Sequence, residues 1–212
     1  MNFSRKVMLG SVLLLGASNV FADTADLRVI GTIAPPACTP VFAGGATVDY
    51  GVIPNNSLSL TAPTALAARD IGYTITCNAP IPVSTTWSDS RAGTVTTPSI
   101  NLFGLGTHNG VNIGNYRTVQ VVAGTTADGS AVTLIQRANP TAAWTAGVNT
   151  INVGSNGLTE VSYAPVGTVV PGSYKVYAGT LRVTATIDPL QNLDTSTEVV
   201  LDGLSTMTVK YL

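Results

Sequence analysis

The sequence predicts an all-β protein, an antiparallel β-sandwich, on three observations. Charged residues make up only 10% of the 212 residues, and the abundant threonine, valine, alanine and glycine suit pleated strands better than long surface helices. Runs in which apolar and polar residues alternate recur about every 8–15 residues, divided by Gly, Pro and Asx turns. Helical periodicity is almost absent and no internal repeat is visible. We therefore expect one β-sandwich domain.

The N-terminus is typical of a secretory signal peptide. Arg5 and Lys6 precede an apolar run over residues 7–17, and a small-residue exit ends at Ala22. We predict that residues 1–22 are a signal peptide cleaved after Ala22, which leaves residues 23–212 as the single domain. The apolar run is shorter than the about 20 residues of a membrane-spanning helix. We therefore expect export through the periplasm and no membrane span after cleavage.

Four segments have the clearest period-two alternation of apolar and polar residues, which is typical of half-buried strands. They are residues 26–33, 71–77, 181–187 and 199–211. The second of them points Cys77 to its apolar face. Residues 54–69 are rich in proline and alanine, and there the sequence allows either a loop or a short helical turn over residues 66–69.

Two Asx-Gly pairs predict tight hairpin turns, because both central residues of a type I′ turn need positive φ angles. The pairs are Asp128-Gly129, between residues 118–122 and 131–136, and Asn156-Gly157, between residues 149–153 and 158–163.

The charge balance argues against nucleic acid as a partner. The chain has eleven acidic and ten basic residues, and two of the basic ones, Arg5 and Lys6, belong to the predicted signal peptide. Binding to phosphate backbones needs a clustered basic face, and the sequence has none.

The two cysteines, Cys38 and Cys77, both follow the signal peptide. In an oxidising compartment they predict one disulfide; the alternative is a pair of buried free thiols. Two cysteines and one distant histidine do not complete a closed tetrahedral metal site. We therefore predict no metal and no cofactor.

No group of residues suggests catalysis. The single histidine, His108, lies in a glycine-rich stretch over residues 104–110 that is typical of a turn. The glycines of that stretch have the wrong spacing for a nucleotide-binding loop, and no helix follows them. We therefore predict that the protein is not an enzyme.

The two tryptophans, Trp87 and Trp144, are the residues best suited to stacking on a sugar ring. The alternative is that both are large core or edge aromatics, because tryptophan buries readily.

Four segments carry a resemblance to a known family, namely residues 31–38, 48–53, 71–77 and the terminal run 199–212. They resemble subunits of chaperone–usher fimbriae, in a poorly characterised secreted branch of these pilin-like proteins. In that family a first strand runs into a cysteine, a strand similar to Val-Asp-x-Gly-x-Ile follows, and the cysteine of the next strand closes a disulfide. The resemblance covers mainly residues 26–77 and 199–212, where Tyr211 stands in the penultimate position.

The resemblance implies an immunoglobulin-like sandwich that lacks its last strand, with a groove that another chain fills by strand addition. Its implied partners are a periplasmic chaperone and an outer-membrane usher or neighbouring pilus subunit. The residues implied for the groove wall and the chaperone-contacting edge are Leu201, Met207, Val209 and Tyr211. The alternative is that these four belong to the core of a complete sheet.

With a strand beginning at residue 26, only Asp23, Thr24 and Ala25 would remain as an N-terminal arm. We therefore expect a fimbrial-type structural or adhesion subunit, at the cell surface or secreted, that accepts a strand rather than donating one. The alternative function is a free secreted or periplasmic binding module with a complete sandwich, with carbohydrate as a candidate ligand.

Overall fold

The computed structural model describes residues 27–32 and 37–212, in two units that are treated separately. The second unit is built almost entirely from strands. In chain order they are β1 (Cys38–Phe42), β2 (Thr64–Ala65), β3 (Arg69–Ile81), β4 (Val83–Asp89), β5 (Phe103–Gly104), β6 (Thr107–His108), β7 (Val111–Asn112), β8 (Gly114–Ala127), β9 (Ser130–Ala131), β10 (Thr133–Arg137), β11 (Thr145–Ala146), β12 (Thr150–Asn152), β13 (Glu160–Ala164), β14 (Tyr174–Ile187) and β15 (Ser205–Tyr211). Four 3-10 turns separate some of them, at Ala43–Ala46, Asn55–Ser57, Ala92–Thr94 and Leu190–Asn192.

Thirteen of the strands form two antiparallel sheets that pack face to face, which confirms the predicted all-β, immunoglobulin-like sandwich, and β6 and β7 form a separate two-stranded hairpin. The first sheet has the order β1-β3-β14-β8-β12, with β2, β5 and β9 paired at its sides. The second sheet has the order β11-β10-β13-β4-β15. Strand β1 is therefore at one edge of the first sheet and β15 is at one edge of the second. In the described residues, no helix is both long and apolar enough to cross a membrane.

The predicted disulfide is confirmed, and it joins the edge strand β1 to its neighbour β3. Cys38 and Cys77 are directly opposite each other in the β1–β3 ladder and form a covalent bond. Cys77 points into the core, as its place in the alternating run 71–77 predicts.

Tyrosine hydroxyls form a buried polar network between the two sheets. The hydroxyl oxygens of Tyr73 on β3 and Tyr163 on β13 are 2.8 Å apart. The side-chain amide of Gln120 on β8 donates to both hydroxyls, at 3.3 Å for Tyr163. All three residues are buried, so the network satisfies groups that would otherwise be costly inside the core.

This network makes stability sensitive to alkaline pH. Burial raises the pKa of Tyr163 to about 12, whereas tyrosine in an unfolded chain titrates near about 10. The folded state therefore holds this proton more tightly, and the resulting stability is complete below pH about 10 and lost as the pH rises through about 12. We expect the unfolding free energy, measured in urea, to fall by about 2 kcal/mol over that interval because of Tyr163.

The Tyr163→Phe variant, which has no hydroxyl to titrate, should show a shallower fall between the same pH values. Its lower stability at neutral pH does not affect this comparison, because only the slopes are compared. Equal slopes for the two proteins would contradict the prediction.

The predicted strand over residues 26–33 is wrong for the part that is described. Residues 27–32 have no regular secondary structure, and Leu27 and Val29 are 90% and 87% exposed. Alternation predicts which side chains can share a face, but a strand also needs a neighbour to complete its backbone hydrogen bonds. The first strand of the described chain begins only at Cys38. The predicted signal peptide, residues 1–22, lies outside the described residues.

The turn at Asp128-Gly129 is confirmed, with φ angles of 48° and 77°, but its predicted strand pairing is only partly right. Strand β9 pairs with β8 over two residue pairs, and the chain then crosses to the second sheet as β10. The hairpin at Asn156-Gly157 is wrong, because β12 belongs to the first sheet and β13 to the second. The Asn156 side chain accepts hydrogen bonds from the backbone of Leu158 and Thr159 and shapes a crossing between sheets.

Two further segments differ from the expectations. Residues 66–68 have no regular structure and β3 begins at Arg69, so the helical turn over 66–69 does not form and the loop alternative holds over 66–68. The predicted terminal strand over residues 199–211 forms only from Ser205. Residues 199–204 precede it without pairing to β4, whose ladder with β15 ends at the pair of Ser205 and Asp89.

Candidate functional site

A cavity of about 1100 Å³ opens between the two sheets, and we call it the groove. Its floor is apolar. The first rim is residues 46–53, which follow β1, and the second rim is residues 195–205, which lead into β15. The floor residues from β14, all on one face of that strand, are Leu181, Val183, Ala185 and Ile187.

Most of the backbone of both rims lacks strand partners. The exceptions are at the end of the second rim, where the N–H of Asp202 donates to the carbonyl of Leu105 and the carbonyl of Leu204 accepts from the N–H of Ser90, both at 2.9 Å. Within the described residues, no backbone-to-backbone hydrogen bond involves residues 47–53 or 195–201. Unpaired backbone donors and acceptors next to a buried apolar floor are unusual in a completed sandwich, where such groups find partners. The groove therefore has apolar side chains that no further strand covers, and rim backbone groups that no strand pairs, within the described residues.

The first rim is irregular for a local reason. The resemblance implies a strand over residues 48–53, but none forms there. Gly51 has a φ of 64°, and its N–H donates to the Asp49 side chain at 2.7 Å, which makes a turn inside the run.

Tyr50 ties this rim to the floor. Its hydroxyl donates to the carbonyl of Val183 and accepts from the N–H of Ala185, both at 3.1 Å. Burial raises the pKa of the Tyr50 hydroxyl, so the hydroxyl keeps its proton at neutral pH and can donate. One side chain thus takes the place of a strand ladder, and residues 47–53 make no backbone-to-backbone hydrogen bond among the described residues.

The four residues predicted for the groove wall occupy two places. Leu201 lines the groove from the second rim. Met207 and Val209 lie further along, on the inward face of β15, and pack against the core. Tyr211 is 48% exposed, and its hydroxyl accepts a hydrogen bond from the N–H of Cys38 at 2.9 Å.

The bond between Tyr211 and Cys38 links the edge strand of the second sheet to the edge strand of the first. The disulfide to Cys77 holds the same point of β1. Strands β1 and β15 are thus connected at this end, whereas the rims of the groove are not hydrogen-bonded to each other in the described residues.

The two tryptophans have different surroundings. Trp87, on β4, is 5% exposed, lines the groove, and lies 6.0 Å from Phe42 between ring centres. Its indole N–H has no acceptor among the described residues. Trp144 is partly buried and far along the second sheet, where the guanidinium of Arg137 lies 4.4 Å from the centre of its ring. The structure therefore does not bring the two candidate sugar-stacking residues together.

His108 lies in the short β6–β7 hairpin. Its Nε2 is 3.3 Å from the side chains of Asn109 and Thr197, and these contacts are on the surface. No carboxylate is hydrogen-bonded to the ring among the described residues, and the one hydroxyl that contacts it, that of Thr197, is exposed. The environment is that of a polar loop side chain.

Sequence reasoning did not identify the rims. The resemblance implies only a strand for the Val-Asp-Tyr-Gly-Val-Ile run, residues 48–53, and the sequence assigns no function to Asp49 or Glu198. Both line the groove. The available signal was the Asp49-x-Gly51 pattern, which is typical of a turn and argues against a strand.

The fold and the groove together define an antiparallel immunoglobulin-like β-sandwich with an open, apolar cleft at its edge strands. Over residues 27–101, which include both cysteines and the first rim, the chain matches a family described as "Protein of unknown function (DUF1120)". It is 28% identical to Protein GltF of Escherichia coli (strain K12) over 242 aligned positions, 95% of this chain and 94% of that protein. It is 29% identical to Uncharacterized protein YhcF of the same strain over 133 positions, 52% of this chain and 56% of that protein. Neither the family description nor these names refer to fimbriae.

Proposed function

We propose that the protein is a fimbrial-type subunit, exported through the periplasm to the cell surface or the medium, and that its groove accepts an extended strand from another polypeptide. The observation that supports this is the backbone of residues 47–53 and 195–201, which makes no backbone-to-backbone hydrogen bond among the described residues and lies beside an apolar floor. An added strand offers backbone partners and apolar side chains at the same time.

The spacing of the floor suits such a strand. Leu181, Val183, Ala185 and Ile187 follow one another at every second position of β14. A strand of about seven residues presents about four side chains to one face with the same repeat. Burial of those side chains supplies the driving force, and the rim backbone fixes the register.

The free edge of β15 supports the same proposal. β15 pairs with β4 only, so its other edge has no ladder in the described residues. An open strand edge next to apolar surface favours aggregation unless something covers it. We propose that a periplasmic chaperone covers it first, and that an outer-membrane usher or a neighbouring subunit follows.

The reason for expecting that the protein accepts a strand but does not donate one no longer holds. That expectation depended on a strand that begins at residue 26, whereas residues 27–32 are exposed and lie outside both sheets. The proposal therefore concerns acceptance, and leaves a segment ahead of β1 that has the alternating pattern of a strand.

A peptide titration tests the proposal. The mature chain, residues 23–212, is mixed with a synthetic peptide of the sequence of residues 27–33 or with a scrambled peptide that lacks the alternation. At about 100 times Kd the alternating peptide should add about 2.7 kcal/mol to the unfolding free energy, which raises Tm by about 5–10 °C for a domain of this size. The scrambled peptide should leave Tm unchanged.

Two variants on the same strand locate the effect. Val183→Arg places a long cation on the groove floor and should abolish the stabilisation. Thr184→Arg, on the opposite face of β14, is the matched control and should keep it. If the chain alone unfolds in one cooperative transition that neither peptide affects, the sandwich completes itself and strand acceptance is wrong. The alternative, a free binding module, would then be tested by sugar binding to the Trp144→Ala variant.

A further inference from the structure

The charged residues that line the groove, among those described, are all acidic. Asp49 lines the groove from the first rim and Glu198 lines it from the second, and both side chains are exposed. Neither takes part in an ion pair among the described residues, and no lysine or arginine of that part of the chain lines the groove. Arg69 lies beside the first rim, with its guanidinium 5.9 Å from the centre of the Tyr50 ring, but it does not line the groove.

Two carboxylates next to an apolar floor favour the binding of basic segments over acidic ones. When an occupant covers the floor it excludes water, so the local dielectric falls and the charges at the rims act more strongly. A basic side chain at the rim then gains attraction, whereas an acidic one is repelled. The same field draws basic segments toward the groove before contact.

A buried donor inside the groove also points to an occupant. The indole N–H of Trp87 is buried and has no acceptor among the described residues, although Trp87 lines the groove. A buried donor without a partner costs about 1–3 kcal/mol. A backbone carbonyl of an added strand is the kind of acceptor that this N–H lacks.

On the basis of the proposed strand acceptance, we propose that the groove selects extended segments in which a basic side chain alternates with apolar ones. The apolar side chains lie on the floor, and the basic one, which points to the other side of the strand, meets the carboxylates of Asp49 and Glu198. Leu27, Arg28 and Val29 of this chain have that pattern, and the two apolar ones among them are almost fully exposed.

The test follows the fluorescence of Trp87 in the Trp144→Phe background, where it is the only tryptophan. Three peptides of the sequence of residues 27–33 are titrated, with arginine, glutamine or glutamate at the second position. Each is titrated into the parent, into Asp49→Asn/Glu198→Gln, and into Asp70→Asn, which removes an exposed carboxylate on the outer face. Asparagine keeps the acceptor for Gly51, so the first rim should retain its turn.

For the arginine peptide, we expect the double variant to raise Kd by about three- to tenfold, the size expected for one or two exposed charge pairs. The effect should disappear in about 1 M salt. Asp70→Asn should leave Kd unchanged, and the glutamate peptide should bind the parent least well of the three.

The outcomes separate this inference from the function on which it rests. If all three peptides bind the parent with equal Kd, charge selection is overturned while strand acceptance stands. If none of them binds the parent, both are overturned. If Asp70→Asn weakens the arginine peptide as much as the double variant does, the effect is general electrostatics and the roles of Asp49 and Glu198 are overturned.

Discussion

Replacing Cys38 and Cys77 together by alanine should lower the unfolding free energy of the chain of residues 23–212 by about 4 kcal/mol. The disulfide closes a loop with a sequence separation of 39 residues, and in the chain-entropy model a loop of about that length restricts the unfolded state by this amount. In the folded state, β1 is the strand that the bond holds most directly, because this edge strand pairs only with β3 in the described chain. Urea denaturation of the oxidised parent and of the double variant, without reductant, measures the difference.

The matched control is the next residue pair of the same ladder. Thr39 and Thr76 are opposite each other on the exposed face of the β1–β3 ladder, so the Thr39→Ala/Thr76→Ala variant should cost about 1 kcal/mol or less. If the cysteine variant loses no more than this control, the disulfide does not stabilise β1 as described.

The second large effect concerns a buried carboxylate on the second sheet. Glu160 on β13 is 2% exposed, and its Oε2 accepts a hydrogen bond from Arg137 Nε at 2.7 Å. Lys210 Nζ lies 3.5 Å from Oε1, and the Ser84 hydroxyl donates to Oε2 at 3.3 Å. We expect Arg137→Met to lower the unfolding free energy by about 3–5 kcal/mol, because it leaves a buried charge without its main partner.

The reverse change should cost less. In Glu160→Gln the remaining cations, Arg137 and Lys210, have side chains that are 16% and 36% exposed and can be hydrated. Arg182→Met is the control, because its partner Asp70 is exposed and such surface pairs contribute about 1 kcal/mol or less. Equal losses for Arg137→Met and Arg182→Met in urea denaturation would contradict the prediction.

Alternation in the sequence predicted well which side chains face the core. Ile71 to Cys77 and Leu181 to Ile187 are strands with the expected inward faces. Alternation did not predict which of these runs are paired. Residues 199–204 continue the pattern of β15, and Val199 and Leu201 still pack against the core. They are not a strand, because the neighbouring β4 ends its ladder at Asp89.

The groove could be predicted only in part. Its wall at Leu201 followed from the terminal run and the resemblance, but the first rim comes from the other end of the sequence. The topology alone brings residues 46–53 and 195–205 to the same cavity. No local pattern shows that these two segments meet. The Asp49-x-Gly51 pattern indicates a turn, but nothing in the sequence indicates that Asp49 and Glu198 line the same cavity. The sequence also did not predict that the chain passes from the first sheet to the second at β10 and at β13, because the topology and not a local pattern decides this.

The disulfide has a consequence for the protein under mechanical load. When the chain is pulled from its two ends, the covalent bond bypasses the segment between Cys38 and Cys77, a separation of 39 residues. At about 3.3–3.6 Å per extended residue, roughly 130 Å of contour length cannot be released while the bond is intact. The first rim lies inside this segment. It therefore stays within the bypassed loop even after the sheets come apart, and the chain can lengthen only through residues outside the loop, before Cys38 or after Cys77.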